Sequence, residues 1–400
     1  MKTNILPLTE LEQDEFCQDD PVLQTKPLAD EFAVNVRWQK NIPSHYLTLT
    51  AEELETRIRS VKEILGSRVT ILGHHYQRDE VIQFADVTGD SFKLADYASK
   101  QESEYIIFCG VHFMAETADI LSKDNQKVIL PNMAAGCSMA DMADIKDVED
   151  SWNDILEVLD LGRFSENIIP ITYMNSTAAI KALCGLNRGI VCTSSNSEAA
   201  FRWAFAQAGK VLFLPDQHLG RNTAHKLGIK DEEMIVWHPY KKLGGYDVKT
   251  IQRAKVILWQ GHCSVHTRFT VQQIDNTRKK IDGINIMVHP ECTAEVVQAA
   301  DFNGSTESII STVRNAPAGT AWAIGTEINL VHRLAKEQLD KTVIGLDSVI
   351  CPCATMYRIH PAYVLWVLEA IVSNDPVNVI KVSKEEKQAA KQALDRMLAL

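Results

Sequence analysis

Tyr105-Ile-Ile-Phe-Cys-Gly-Val-His-Phe-Met-Ala-Glu116 reads as a short apolar run, a junction of small and polar residues, and the opening of a helix. The run Tyr105 to Phe108 does not alternate between apolar and polar, so a strand built from it is covered on both faces. The same three-part pattern recurs along the chain. Its other runs are Val69 to Leu72, Val128 to Leu130, Ile168 to Ile171, Gly189 to Val191, Val211 to Leu214, Lys255 to Trp259, Ile284 to Val288 and Ala321 to Ile324. Continuous apolar runs alternating with helical stretches specify parallel strands in an α/β architecture. No fixed-period repeat is visible in residue identity. The recurrence is architectural, and several small sheets of three or four strands are expected.

The junctions after these runs carry most of the chemistry-bearing residues. They include Gly73-His-His-Tyr76, Cys109-Gly-Val-His112, Tyr173-Met-Asn-Ser-Thr177, Cys192-Thr-Ser-Ser-Asn196, Pro215-Asp-Gln-His218, Gly261-His-Cys-Ser-Val-His266, His289-Pro-Glu-Cys292 and Gly325-Thr-Glu327. Seven of the twelve histidines lie in them. Open α/β sheets bind ligands beyond the carboxyl ends of their strands. Packing alone would scatter histidines, so the bias points to one or more shared polar clefts.

The 400-residue chain has a formal charge of −11, with 46% hydrophobic and 23% charged residues. An acidic chain gains nothing from counterion release, so nucleic acid and anionic membrane are not expected partners. No apolar run approaches the ~20 residues of a membrane helix. Met1 to Asp20 holds one lysine and six carboxylates, so a secretory signal is not expected. Residues 1–45 carry Pro7, Pro21, Pro27 and Pro43 and read as an acidic extension. Order begins at Thr50-Ala-Glu-Glu53, a capping box opening an amphipathic helix that ends near Gly66.

There is no G-x-G-x-x-G, P-loop, G-x-S-x-G, H-E-x-x-H or C-x-x-C in the sequence. Dinucleotide, nucleoside triphosphate, serine-hydrolase and zinc-ribbon readings therefore lack their motifs. Nine cysteines remain to be explained, in a chain large enough not to need disulfide staples. Cys137 lies in a small-residue loop, Cys263 is flanked by His262 and His266, and Cys353 closes Cys351-Pro-Cys353. They are 126 and 90 residues apart, too far to share a loop. Three thiolates suit an iron–sulfur cluster with one iron left open as a Lewis acid. The competing reading is that they are buried apolar fillers, the ordinary use of free cysteine.

Ten ordered motifs together resemble the quinolinate synthase family. They are Gly73-His-His-Tyr-Gln77, Gly89-Asp-Ser91, Cys109 to Glu116, Gly136-Cys-Ser-Met-Ala140, Tyr173 to Thr177, Gly261 to His266, His289 to Cys292, Gly304-Ser-Thr306, Ile324-Gly-Thr-Glu327 and Cys351 to Met356. The resemblance runs from about residue 50 to the C-terminus. It implies an enzyme of NAD biosynthesis that condenses iminoaspartate with dihydroxyacetone phosphate to give quinolinate, phosphate and water. It also implies three similar Rossmann-like α/β/α domains with small parallel sheets, set pseudo-threefold around a central active site. The corresponding boundaries are 46–145, 146–260 and 261–353, with a helix over 354–400 packing back on the first domain.

By motif, the family's ligands for one [4Fe-4S] cluster fall on Cys137, Cys263 and Cys353, leaving one iron open. Cys353 is preferred to Cys351 because the Cys-x-x-Met run follows it. Cys292 is not a ligand in the family, and Cys109 and Cys192 read as packing residues. The resemblance implies His74 and Tyr76 as general acid–base groups, Glu291 as the catalytic carboxylate and Tyr173 as a further catalytic residue. Substrate contacts are implied for His74, Ser91, Tyr173, Asn175, Ser194, His266, His289, Glu291, Ser305 and Thr306. The serines and Thr306 stand at helix starts that suit anions, although N-capping is the commoner use. Glu116, Asp216, Asn222 and Glu327 match motifs without an assigned role. The expected setting is cytoplasmic, with transient contact with aspartate oxidase by pathway logic and a homodimer allowed for. Two other readings stand beside this one. A different [4Fe-4S] hydro-lyase would turn over without a triose phosphate, and a cluster carrier would need neither Tyr76 nor Glu291.

Overall fold

In a computed structural model, residues 27–30, 39–159, 167–347, 349 and 351–400 are described. Most of the acidic extension, including Cys17, lies outside them. Three small sheets, all parallel, follow one another along the chain. The first holds β1 (Val69–His74), β2 (Val87–Gly89), β3 (Tyr105–Cys109) and β4 (Lys127–Ile129) in the order β2-β1-β3-β4. The second holds β5 (Ile168–Tyr173), β6 (Ile190–Cys192), β7 (Lys210–Leu214), β8 (Met234–Trp237) and β9 (Val256–Trp259) in the order β6-β5-β7-β9-β8. The third holds β10 (Asn285–Val288), β11 (Phe302–Asn303), β12 (Ala321–Gly325) and β13 (Thr342–Gly345) in the order β11-β10-β12-β13. Each sheet starts its second strand beside the first and then crosses to the other side. This is the architectural repeat that residue identity conceals, and it gives three α/β/α domains.

All nine apolar runs read from the sequence are strands. Their registers, such as Thr70 opposite Ile106 and Ile286 opposite Ala323, align buried residues with buried residues. The middle sheet has five strands where three or four were expected, because β8 pairs with β9 at its edge.

The helices that matter for the site are few. In the first domain they are α1 (Ala51–Leu65), α2 (Ser91–Lys100) and α3 (His112–Leu121). The second domain has α4 (Ile145–Val158), α5 (Ala178–Leu186), α6 (Ser197–Phe205) and α7 (Gln217–Lys226). After it come α8 (Val271–Lys280), α9 (Thr306–Asn315), α10 (Ile328–Glu337), α11 (Ala354–Tyr357), α12 (Pro361–Val372) and α13 (Lys384–Leu398). The expected capping box is present. The Thr50 hydroxyl accepts from Glu53 N at 3.3 Å, and Glu53 Oε2 accepts from Thr50 N at 2.8 Å. Gly66, at φ +51°, ends α1 in a conformation that glycine adopts without a Cβ penalty.

The described chain divides into two compact units. The first comprises Met1–Cys137, Glu327–Glu337 and Asp347–Lys381, and the second Ser138–Thr326, Gln338–Leu346 and Val382–Leu400. No helix is long and apolar enough to cross a membrane among the described residues.

Residues 354–400 differ from the single helix read above. They hold three helices, and Asn374 and Asn378 at positive φ turn the chain between the last two. In the first unit α12 packs on α1, where Glu369 accepts from Arg57 at 2.6 Å and from the Tyr46 hydroxyl at 2.5 Å. In the second unit α13 lies against α5 and β6. Its alanine face, Ala389, Ala390 and Ala393, is buried there.

The approach at that contact requires glycine. A Cβ on Gly185 would stand 1.8 Å from the Ala389 carbonyl oxygen. Backbone cannot yield as a flexible side chain does, so Gly185→Ala is expected to destabilise the protein by about 3 kcal/mol. Thermal unfolding of the variant measures this. A melting temperature equal to the parent's would show that α13 does not hold this position.

Candidate functional site

The second unit brings five expected residues together. Cys263 and His266 follow β9, His289 and Glu291 follow β10, and Tyr173 ends β5. His266 Nδ1 lies 2.7 Å from Glu291 Oε2 and 3.2 Å from Cys263 Sγ, and its Nε2 lies 3.1 Å from Thr326 Oγ1. The rings of His266 and His289 are stacked, with centroids 4.4 Å apart. His266, His289 and Glu291 are each 2% exposed, and Cys263 is half-buried. Ligand atoms of Cys263, His266 and Glu291 all lie within 4.8 Å of one another, a grouping able to hold a metal ion.

The charges at this cluster are opposed. Burial pushes Glu291 up, but His266 and His289, with hydrogen bonds from His266 and Tyr173, bring its pKa down to about 2. Glu291 is therefore a carboxylate inside the protein. Burial and then His266 lower His289 to about 3, so its ring is neutral. The Glu291 amide donates to His289 Nδ1 at 3.3 Å, which leaves the ring proton on Nε2.

The loop after β1, in the first unit, repeats the device. His74 Nδ1 accepts from the Tyr76 amide at 3.1 Å, and the two rings meet edge to face at 4.7 Å. A neutral His74 then presents Nε2–H as a donor. The segment around Cys353 is bonded to the loop before Cys137. Asn132 donates to Arg358 O at 3.0 Å, and Arg358 donates to Ala134 O at 2.5 Å. Seven cysteines among the described residues are free thiols. Cys109, Cys184, Cys192 and Cys292 are wholly buried, and burial raises the pKa of each. Cys137, Cys263 and Cys353 are the half-buried three. Cys351 is not among the free thiols.

The other expected substrate contacts stand at strand ends or helix starts. Asn175 follows Tyr173, and its Oδ1 is buried without a protein partner, an acceptor that a bound polar ligand could satisfy. The turn carrying it is held by Lys181, a fully buried lysine that donates to the carbonyls of Met174 and Ser176. Ser91 is the first residue of α2, whose cap is Asp90, accepting from Lys93 N at 3.0 Å. The Ser305 hydroxyl caps α9, with Thr306 next to it. Ser194 is half-buried in the loop between β6 and α6, whose cap position is Asn196, so it does not begin that helix.

The sequence places Asp216, Asn222 and Glu327 in motifs without assigning them chemistry, and the structure shows all three buried. Asp216 is buried at φ +86°, a backbone conformation few non-glycine residues adopt. Its Oδ1 accepts from the amides of His218 at 2.6 Å and Leu219 at 2.9 Å. Burial, then the Glu291 charge, raises its pKa well above the carboxylate range. In the second unit Asn222 donates to the carbonyls of Pro290 and Cys292, bracing the turn that carries Glu291. In the first unit Glu327 is fully buried, with its pKa raised to about 7 by burial, and accepts from Cys353 N at 3.2 Å. Asp216 and Glu327 were visible as carboxylates in strand-end junctions, and only burial gives them a role.

Residues 56–399 match the family model described as Quinolinate synthetase A protein. The chain belongs to that family. It is 56% identical over 361 residues to the quinolinate synthase of Geobacillus kaustophilus, covering 90% of this chain and 96% of the relative. It is 54% identical over 358 residues to that of Acidobacterium capsulatum, covering 89% and 95%. With that of Corynebacterium glutamicum it shares 53% over 363 residues, covering 90% and 91%. Membership makes the chain an enzyme of the quinolinate synthase kind, with its place in NAD biosynthesis.

Proposed function

We propose that the protein condenses iminoaspartate with dihydroxyacetone phosphate, releasing one phosphate and two waters as quinolinate forms. The observation that carries this reading is Glu291. It is a buried carboxylate held ionised by His266, beside the half-buried thiol of Cys263 and within hydrogen-bonding reach of Tyr173. A condensation that closes a ring and loses water needs groups that take and return protons where solvent is excluded. Glu291 serves as the base, and His74 with Tyr76 as the acid–base pair. Asn175, His289, Ser91, Ser194, Ser305 and Thr306 hold the carboxylates and phosphate of the substrates. The instability of iminoaspartate makes brief contact with aspartate oxidase in the cytoplasm part of the same proposal.

The half-buried free thiols suit a soft metal centre, and the four wholly buried ones do not. Cys137, Cys263 and Cys353 would hold one [4Fe-4S] cluster. Such a cluster supplies a Lewis-acidic iron able to bind a substrate oxygen or nitrogen. Anaerobically reconstituted protein, given oxaloacetate, ammonia and dihydroxyacetone phosphate, is expected to yield quinolinate and phosphate in equal amounts. An intact cluster by spectroscopy with no quinolinate would sink the reading. Turnover of a hydroxy acid without the triose phosphate would point to a hydro-lyase instead.

A further inference from the structure

Three successive backbone carbonyls of the loop after β1 each receive a side-chain donor from one stripe of α10, all within the first unit. Arg333 Nη1 donates to His75 O at 2.9 Å, and Arg333 Nη2 donates to Gln77 O at 2.7 Å. Asn329 Nδ2 reaches Tyr76 O at 3.5 Å, the longest of the three. Residues 329 and 333 are one helical turn apart and share a face. The same guanidinium donates Nε–H to Asp79 Oδ1 at 3.1 Å, and Lys336, three residues on, pairs with Asp79 at 2.6 Å. The loop is fixed from its other side as well. Gln77 donates to Met356 O at 3.1 Å, and the Arg78 guanidinium lies over the Tyr357 ring at 3.6 Å.

The N-terminal end of α10 faces a different segment. Glu327 Oε1 accepts from Cys353 N at 3.2 Å and from Asn329 Nδ2 at 2.9 Å, and Glu327 Oε2 accepts from Asn329 N at 2.8 Å. The short helix α10 and the residue before it therefore hold both the loop that bears Tyr76 and the backbone of Cys353. We infer that Arg333, assisted by Asn329, is a positioning residue that fixes the peptide planes around Tyr76 and so aims its hydroxyl for proton transfer.

The physical argument rests on the fork of the guanidinium. Clamping the carbonyls on both sides of Tyr76 fixes the backbone dihedrals that direct its side chain. A lysine keeps the charge toward Asp79 but cannot present several donors in a rigid plane, so Arg333→Lys removes the clamp while keeping the ion pair. Displacing a reacting group by about 1 Å costs on the order of 10²-fold in rate.

The inference rests on the proposed role of Tyr76, and the test separates the two. In reconstituted holoenzyme, R333K is expected to lower kcat by on the order of 10²-fold, with iron content and visible absorbance unchanged. Amide hydrogen exchange in peptides spanning residues 74–78 is expected to accelerate. The double variant R333K/Y76F is expected to be no slower than Y76F alone, because the clamp acts through Tyr76. Multiplied losses in the double variant, or parental kcat in R333K, overturn the inference. Y76F with parental kcat overturns the catalytic reading of Tyr76 instead. Exchange that is unchanged in R333K overturns the positioning itself, whatever Tyr76 does. Should R333K fail to fold, Asn329→Ala carries the same cycle with a smaller expected loss, and parental kcat and exchange in that variant overturn the inference.

Discussion

Cys353→Ser is expected to abolish both the broad visible absorbance of reconstituted protein and its quinolinate-forming activity, whereas Cys351→Ser leaves both in place. The two residues are separated by one proline, so position along the chain does not distinguish them. Their environments do. Cys353 is a half-buried free thiol whose backbone N–H is bonded to Glu327, and its sulfur lies 3.5 Å from the Thr355 hydroxyl. Cys351 is buried and is not a free thiol. Burial raises the Cys353 pKa, so the sulfur is protonated until a metal displaces the proton. A serine hydroxyl is harder and far less acidic than a thiol, and iron–sulfur clusters select soft thiolates. Iron and sulfide analysis alongside the spectrum gives the measurement. A cluster that survives in C353S but is lost in C351S would reverse the ligand assignment.

The interior strands of each sheet were legible in the sequence, with the edge strands β4 and β6, and the other four edge strands were not. The strands it revealed, such as β1, β3, β5 and β7, are covered on both faces, so most positions are apolar and the run stands out. Two of the four it left out, β2 and β11, have only two or three residues and are half-exposed. Such strands are specified by pairing with a neighbour, and no local run records it. β13 (Thr-Val-Ile-Gly) has a single fully buried residue. β8 (Met-Ile-Val-Trp) differs from these, since its apolar run was present to be read.

The site divides along a similar line. His74, Tyr76, His266, His289 and Glu291 stood out because histidines, tyrosines and carboxylates are conspicuous at strand ends. The residues that hold them did not. Arg333 belongs to no motif, although it grips a loop about 255 residues earlier. Lys181, also outside every motif, is wholly buried. Long-range hydrogen bonds to backbone carbonyls leave no trace in spacing, because the acceptor is present in every residue. The serines proposed to bind anions show the converse. Their helix-start positions were legible, but capping and ligand binding use the same hydroxyl, and Ser305 is engaged as a cap.

Glu291→Gln tests the proposed base directly, and its expected effect is a fall in kcat of roughly 10²- to 10⁴-fold, the range for removal of a general acid–base group. Glutamine keeps the shape of the side chain and an oxygen to accept from His266 or Tyr173. It cannot carry the charge or take a proton. The loss of charge also weakens the contact that Glu291 makes with His266 at 2.7 Å, so stability is expected to fall as well. The variant also discriminates base from metal ligand. Glu291 lies within 4.8 Å of ligand atoms on Cys263 and His266, so a ligand role predicts iron loss in E291Q. A base predicts parental iron content with collapsed turnover. Turnover within about tenfold of the parent, with full iron, would remove Glu291 from the chemistry and leave His266 or Tyr173 to supply the base.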